Sequence, residues 1–284
     1  MSDSDQYKTG EIMPRIAIAE ALRNHWFEIW YQAKVDLKRK CLAGAEALAR
    51  LRHPELGVLL PGSFVAEVDE NSIAQLVECT LSAALNDWTM FDEAGFNLHL
   101  AINVPASVLL KLPLPRLVSD HRPKSSHWPG LIVELTEDQI MRDMARAHEI
   151  AGKLHISDIT IAIDEFGAGY SAFARLRDLP IAELKIARDF VSGCATEAAN
   201  GAICQTAIDL AHRVGSMAVA AGVESAVDLQ ALIAMGCDFA QGPLIAPLLP
   251  KQEFMELLLK HNGPRPAAPK DLIQAAVQPV GRVA

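Results

Sequence analysis

Six polar side chains sit inside runs that otherwise read as buried strands. They are Glu46 in AGAEALAR, Asn103 in NLHLAINV, Glu134 in GLIVEL, Asp164 in ITIAID, Lys185 in ELKIA and Gln241 directly after DFA. A single acid in a strand usually marks an outward or end position, because burying an unpaired carboxylate costs several kcal/mol. The same feature on six separate strands is hard to explain as solvation. It points to convergence. Three carboxylates and an amide oxygen form the all-oxygen donor set that hard divalent cations take.

The elements that must carry these residues follow from hydrophobic periodicity. Strands are predicted at 26–34, 43–50, 97–104, 130–135, 159–164, 183–187, 217–221 and 238–240. Helices are predicted at about 15–24, 63–93, 105–119, 138–154, 170–177, 197–214, 226–235 and 251–261. The alternation indicates an α/β protein with a largely parallel sheet. Roughly eight strand and helix repeats fit a closed (β/α)8 barrel, in which chemistry sits where strands end and the following loops begin. A doubly wound open sheet is the structural alternative. Residues 1–14 read as a flexible N-terminus, and the Pro/Ala-rich 263–284 as a flexible tail.

Composition narrows the classes further. The 284 residues are 50% hydrophobic and 21% charged, which excludes disorder as the dominant state. No run approaches the roughly 18 apolar residues of a membrane span, and the first residues contain no apolar secretory core. Against 26 Lys and Arg stand 35 Asp and Glu, a net charge of −9. That balance argues against a generic DNA, RNA or membrane-surface binder. It leaves room for a small anion held by local basic residues or by metal. Cys41, Cys79, Cys194, Cys204 and Cys237 form no CxxC pair and are odd in number, which predicts free thiols and a cytoplasmic location.

The stretch YQAKVDLKRKCLAGAEALARLRHPELGVLLPGSF resembles the opening of the EAL domain of bacterial cyclic di-GMP signalling, with Glu46-Ala47-Leu48 as the name-giving triplet and Arg50 completing E-x-L-x-R. The resemblance continues through AINVPAS, IVELTE, IDEFGAGYSAFARLRDLPIAELKIARDFV, AAGVES and GCDFAQG, in order and in spacing, over roughly residues 16–260. It implies a TIM-like (β/α)8 barrel of the EAL type over 15–262 with one irregular strand, and a phosphodiesterase that hydrolyses cyclic di-GMP in active members. On this resemblance Glu46, Asn103, Glu134 and Asp164 are ligands of Mg²⁺ or Mn²⁺. Glu46, Leu48 and Arg50 line the ligand, with the Arg50 fork on a phosphate. Lys185, Glu165 and Gln241 belong to the catalytic set, and Glu137 anchors the loop FGAGYSAF that follows Asp164. The resemblance also implies a homodimer or a protein partner. The apolar stretch SVLLKLPLP at 107–115 reads as a partner surface or, more blandly, as core.

Three acids of the family pattern are altered. Active members have two consecutive aspartates where this chain has Asp164-Glu165, and a displacement of about 1 Å can cost ~10²-fold in rate. The family's LKIDRSF is LKIARDF here, which leaves Ala187, with Asp189 on the helical side. The family's AEGVE is AAGVE, which puts Ala221 where the general base is expected, 36 residues after Lys185 and 20 before Gln241. A general base is worth typically 10²–10⁴-fold. Pro243 stands where the family has an aromatic residue. Hydrolysis is therefore expected to be lost or very weak. An intact carboxylate pocket without metal repels a dianionic nucleotide, whereas this one lacks two acids and keeps Arg50 and Lys185. The leading expectation is a cyclic di-GMP receptor or interaction module, with Mg²⁺ or Mn²⁺ dispensable. A weakly active metal-dependent phosphodiesterase and a scaffold that binds no nucleotide are the alternatives.

Overall fold

The computed structural model describes residues 16–64, 69–109, 111–142, 144–167 and 179–261. The two ends expected to be flexible, and the helix expected at 170–177, lie outside the described residues. The ten strands are β1 Phe27–Asp36, β2 Cys41–His53, β3 Gly57–Leu59, β4 His99–Asn103, β5 Leu131–Thr136, β6 Ile159–Phe166, β7 Ile181–Ile186, β8 Met217–Ala220, β9 Phe239–Gln241 and β10 Leu249–Pro250. Among the helices are α1 Ile18–Arg23, α2 Glu70–Glu93, α3 Ala106–Leu109, α4 Leu114–His121, α5 Glu137–Arg142 and α6 Met144–His155. They continue as α7 Arg188–Val191, α8 Ala198–Arg213, α9 Ala226–Ala234 and α10 Lys251–His261.

Eight of the strands close into a barrel, which replaces the open-sheet alternative. Strands β2, β4, β5, β6, β7, β8 and β9 run parallel to one another in that order. The remaining strand, β1, is antiparallel to both β2 and β9 and closes the ring. It needs no crossover helix because a short turn at Leu37–Lys40 returns the chain directly into β2, as antiparallel pairing allows. Tyr31 fastens β1 to the helical layer. Its hydroxyl donates to Asp87 Oδ2 of α2 at 2.7 Å, and Lys251 of α10 reaches Asp87 Oδ1 at 3.0 Å.

Alternation along the strands separates two cores. In β5, Leu131, Val133 and Leu135 join the layer between sheet and helices. Ile132 instead joins Ala101 of β4 and Ala162 of β6 in a small cluster inside the ring. The adjacent inward position on β5 is Glu134.

Helix ends follow local chemistry. Asp69 caps α2 by accepting from the backbone of Asn71 and Ser72, so this helix begins at Glu70 rather than at the expected 63. The single helix expected over 105–119 is two helices, α3 and α4. Pro113 and Pro115 flank the start of α4, where their missing N–H groups are tolerated. Val108, Leu109 and Leu114 are buried, which favours the core reading of SVLLKLPLP. Cys194, Cys204 and Cys237 are buried free thiols. Among the described residues no helix is long and apolar enough to cross a membrane.

At the end of the barrel where β8 and β9 begin, Asp238 ties three elements together. It accepts from Lys38 at 2.7 Å, from His212 of α8 at 2.8 Å and from the backbone of Ala218 at 2.9 Å. Burial works to raise its carboxyl, but these donors outweigh it and hold the group below its usual range. The folded protein thus keeps Asp238 ionised where the unfolded chain has begun to take up a proton. The stabilisation is present above about pH 4 and is lost as pH falls through the lower folded value. Asp238→Asn is expected to flatten the acid limb of urea midpoint against pH below about pH 5. An unchanged limb would remove Asp238 from this role.

Candidate functional site

At the opposite end, the six residues singled out by their strand context come together. Glu46 lies within β2 opposite Gln32 of β1, and Asn103 pairs in register with Glu134 across β4 and β5. Asp164 lies in β6, Lys185 in β7 and Gln241 at the end of β9. The Lys185 ammonium is the hub. It stands 2.5 Å from Glu134 Oε2, 3.0 Å from Glu46 Oε2 and 3.4 Å from Asp164 Oδ1. Glu46 takes two further donors, Asn103 Nδ2 on Oε1 at 2.7 Å and Gln241 Nε2 on Oε2 at 2.9 Å.

Burial makes these contacts strong. Lys185 is only 2% exposed, and Glu46 and Glu134 are buried with it. For Glu46, burial works to raise the carboxyl, yet the Lys185 ammonium and the bonds from Lys185, Gln241 and Asn103 bring it down to about 2. For Glu134, burial and the neighbouring charge of Glu46 prevail over Lys185, and its carboxyl is held well above the ordinary range. Desolvation alone would lower Lys185, but Glu134, Glu46 and Asp164 together hold its ammonium well above the ordinary lysine range. Two carboxylates on one ammonium thus sit in unlike protonation environments.

The other expected site residues occupy distinct positions. Arg50 is buried four residues beyond Glu46 in β2, and its Nη1 donates to the Ala49 carbonyl at 2.8 Å. Leu48 lies half-buried between them. Glu137 opens α5, is buried, and its Oε2 accepts the Gly167 N–H at 2.9 Å. Gly167 has φ +98 and faces the Phe190 ring, whose Cε2 would lie 3.0 Å from an added Cβ. The expected anchoring of the turn by Glu137 therefore has a direct contact behind it, while the rest of FGAGYSAF falls outside the described residues. Glu165 is exposed and does not join the Lys185 cluster. Its backbone lies in the left-handed region at φ +55, and its N–H donates to Asp164 Oδ1 at 2.9 Å. For a glutamate this is a strained conformation, of the kind that collects at functional sites.

Ala187 and Ala221 immediately follow β7 and β8. Their backbones bond to the preceding strand ends, Ala187 N to Phe166 O at 3.2 Å and Ala221 N to Ile186 O at 3.3 Å. Both methyl groups therefore stand at the same end of the barrel as Lys185. Asp189 is exposed on α7, and Pro243 is exposed after Gln241.

Two ion pairs were not anticipated from the sequence. Arg188 pairs with Glu224, and its aliphatic stem crosses Gly222, where an added Cβ would lie 2.6 Å from Arg188 Cγ. Deeper in the barrel, Lys34 of β1 pairs with Glu183 of β7, both almost fully buried. The available signal for the second pair was Glu183 itself, an acid two residues before Lys185 on an inward-facing strand position.

The oxygen donors fit a hard divalent cation in kind: three carboxylates and the side-chain amide of Asn103. As arranged, no three acids, histidines or cysteines among the described residues form a metal cage, because the carboxylates converge on the Lys185 ammonium.

A closed barrel with one antiparallel strand and a carboxylate and lysine cluster at the C-terminal end of its parallel strands defines a TIM-like barrel protein with its polar site where such barrels carry one. Known proteins agree with that class. The EAL domain pattern matches residues 15–248. The cyclic di-GMP phosphodiesterase RocR of Pseudomonas aeruginosa is 35% identical over 251 residues, which covers 86% of this chain and 63% of that protein. The cyclic di-GMP phosphodiesterase PdeL of Escherichia coli is 30% identical over 257 residues, covering 87% of this chain and 69% of that protein. The solved structure of the MucR phosphodiesterase in complex with c-di-GMP superposes with a TM-score of 0.77 at 30% identity, over 84% of this chain and 97% of that one. The chain belongs to the EAL domain family. It spans 32%, 63% and 39% of three curated relatives it matches, so those proteins carry further sequence of their own.

Removing the anchor of the Gly167 turn gives a direct test of the loop contact. Glu137→Ala is expected to cost about 1–3 kcal/mol, the typical effect of leaving a buried partner unsatisfied. It should also speed hydrogen exchange at the Gly167 amide, and unchanged exchange there would show that the turn holds without Glu137.

Proposed function

We propose that this EAL domain is a cyclic di-GMP receptor with hydrolysis lost or very weak. The observation that carries the reading is the composition of the barrel rim. The Lys185 ammonium sits among the three remaining carboxylates and offsets part of their charge, and the neighbouring strand ends offer methyl groups at Ala187 and Ala221. A phosphodiester dianion approaching this rim meets two fewer carboxylates than the family pattern would present, with Arg50 along the same strand as Glu46. The arginine fork suits phosphate oxygens. At position 221 a methyl group neither accepts a proton nor orients a water, so the step that a general base would assist lacks its acceptor.

Where a Mg²⁺ or Mn²⁺ ion is held, Glu46, Asn103, Glu134 and Asp164 are the residues to hold it, and the ion supplies charge to polarise a phosphate and activate water. The protein's own part is to position: Gln241 and Asn103 fix the Glu46 carboxylate, and Glu137 fixes the turn beyond Asp164. The convergence of four oxygen-bearing side chains keeps a weakly active phosphodiesterase as the second reading.

Calorimetric titration of cyclic di-GMP in EDTA is expected to show micromolar or tighter binding, and Arg50→Ala to weaken it by about 10-fold or more, the usual worth of a charge-assisted contact. Absence of heat with and without Mg²⁺ would replace the receptor by a scaffold that binds no nucleotide. With Mn²⁺, product formation should stay at background, and any turnover abolished by Glu46→Ala would make this chain an enzyme.

Restoring the three altered acids together tests the cause of the loss. The triple variant Glu165→Asp, Ala187→Asp, Ala221→Glu is expected to gain hydrolysis by at least the ~10² that a general base contributes. No gain would place the defect elsewhere in the barrel rim.

A further inference from the structure

Two residues back from the rim, the interior of the barrel holds a second charge pair that the proposed binding step does not use. Lys34 of β1 and Glu183 of β7 are 3% and 5% exposed, and the Lys34 ammonium donates to Glu183 Oε1. Glu183 Oε2 is buried as well and has no hydrogen-bond partner among the described residues. Glu183 lies two residues before Lys185, so both side chains leave the same face of β7, with Cα atoms about 6.6 Å apart. Lys34 pairs in register with Gly44 of β2 and with Gln241 of β9. Its stem passes over Gly44, where an added Cβ would lie 3.3 Å from Lys34 Cε. Glu46 is the diagonal neighbour of Lys34 across β1 and β2, a separation that a long side chain spans.

Either charge, left alone, would compete with the rim. Without Lys34, the Glu183 carboxylate has two empty oxygens in a dry interior and must lose its charge or take another cation. The Lys185 ammonium, on the same strand face, is within its reach. Without Glu183, Lys34 faces the mirror-image choice. The acid within its reach is Glu46, which already accepts from Asn103, Lys185 and Gln241. We propose that Lys34 and Glu183 are positioning residues for the rim. By occupying each other they leave the Lys185 ammonium to the acids at the strand ends and keep the Glu46 carboxylate on its present donors. The pair thereby sets the charge that a ligand meets, although neither residue touches the ligand. This inference deepens the receptor reading and rests on it only for the effect on the nucleotide.

The full chain and its variants are compared in EDTA at about pH 8, where an ordinary carboxyl is ionised and an ordinary imidazole neutral. The second condition matters because His99 senses the pair: burial and then Lys34 lower its ring, while Glu183 raises it. Nuclear Overhauser contacts between side-chain methylenes read which acid each ammonium approaches. In Lys34→Met, the contact from the Lys185 ε-methylene to the Glu183 γ-methylene is expected to strengthen, and Glu183→Gln added to that variant should remove the gain. Glu183→Gln alone, which keeps the test open if Lys34→Met does not fold, should bring the Lys34 ε-methylene to the Glu46 γ-methylene. A purely structural pair would lower the urea midpoint of the single variants and leave both contacts as in the wild type, which would overturn the proposal. Cyclic di-GMP affinity is the second readout. It is expected to fall about 10-fold in Lys34→Met, the worth of one charge-assisted contact, and to recover in the double variant. Equal affinity of wild type and Lys34→Met would overturn the claim that the pair sets the charge of the rim. A wild type that binds no nucleotide would end the receptor reading, and the methylene contacts would still decide whether the pair positions Lys185.

Discussion

Burying Glu46 and Glu134 at one end of a barrel, with Asp164 half-buried beside them, calls for a cation among them, and the rest of this structure is arranged around that requirement. Unpaired, such groups would be driven toward neutrality or out toward water. Lys185 meets the demand because β7 lies between β6 and β8, which aims its long side chain across the ring at acids from β2, β5 and β6. Asn103 and Gln241 then complete Glu46: against its burial, they and Lys185 bring its carboxyl down, whereas burial and the charge of Glu46 hold that of Glu134 up. A buried charge cluster of this kind is weak evidence for stability. Its value lies in holding several strand ends in one geometry.

The same logic recurs one layer down. Beside the rim cluster, inside the ring, Ala101, Ile132 and Ala162 form a small apolar cluster. The interior also holds the Lys34 and Glu183 pair, with Lys34 near the Phe239 ring at 5.5 Å. Lys34 belongs to β1, the antiparallel strand, and Glu183 to β7 on the other side of the ring. A charge pair across the barrel therefore links the closing strand to the strand that carries Lys185. The close approach of β2 and β4 beside it needs Gly44, since a Cβ there would lie 2.3 Å from the His99 carbonyl oxygen.

Much of this was legible in the sequence, for physical reasons that also mark where legibility ended. The barrel strands read well because most combine a β-branched or aliphatic run with few polar residues, as in ITIAID and ELKIA, and parallel strands are buried on both faces. The rim cluster was legible through the same break in apolar character. Periodicity carried no information about the direction of β1, whose antiparallel closure depends on a short turn and on pairing with β9 at the far end of the chain. Nor did it show that Pro113 and Pro115 divide the helix expected over 105–119, although proline chemistry explains the division. Lys34 and Glu183 were missed because 149 residues separate them, and nothing local announces a partner at that distance.

The three positions at which the sequence departs from the expected family pattern, Glu165, Ala187 and Ala221, acquire different meanings once their backbones are known. Glu165 lies in the left-handed region, where a short acid can bond its own backbone and is better tolerated than a longer one. Its exchange for aspartate is thus a question of backbone strain as well as of carboxylate reach. Ala187 and Ala221 involve no such strain: each is a simple truncation at a strand end bonded to its neighbour. One departure changes how the chain leaves β6, and the other two change what charge faces Lys185. The three positions are therefore not equivalent. The pair of alanines sets the electrostatic character of the rim, while Glu165 sets the geometry of the turn that leads away from it.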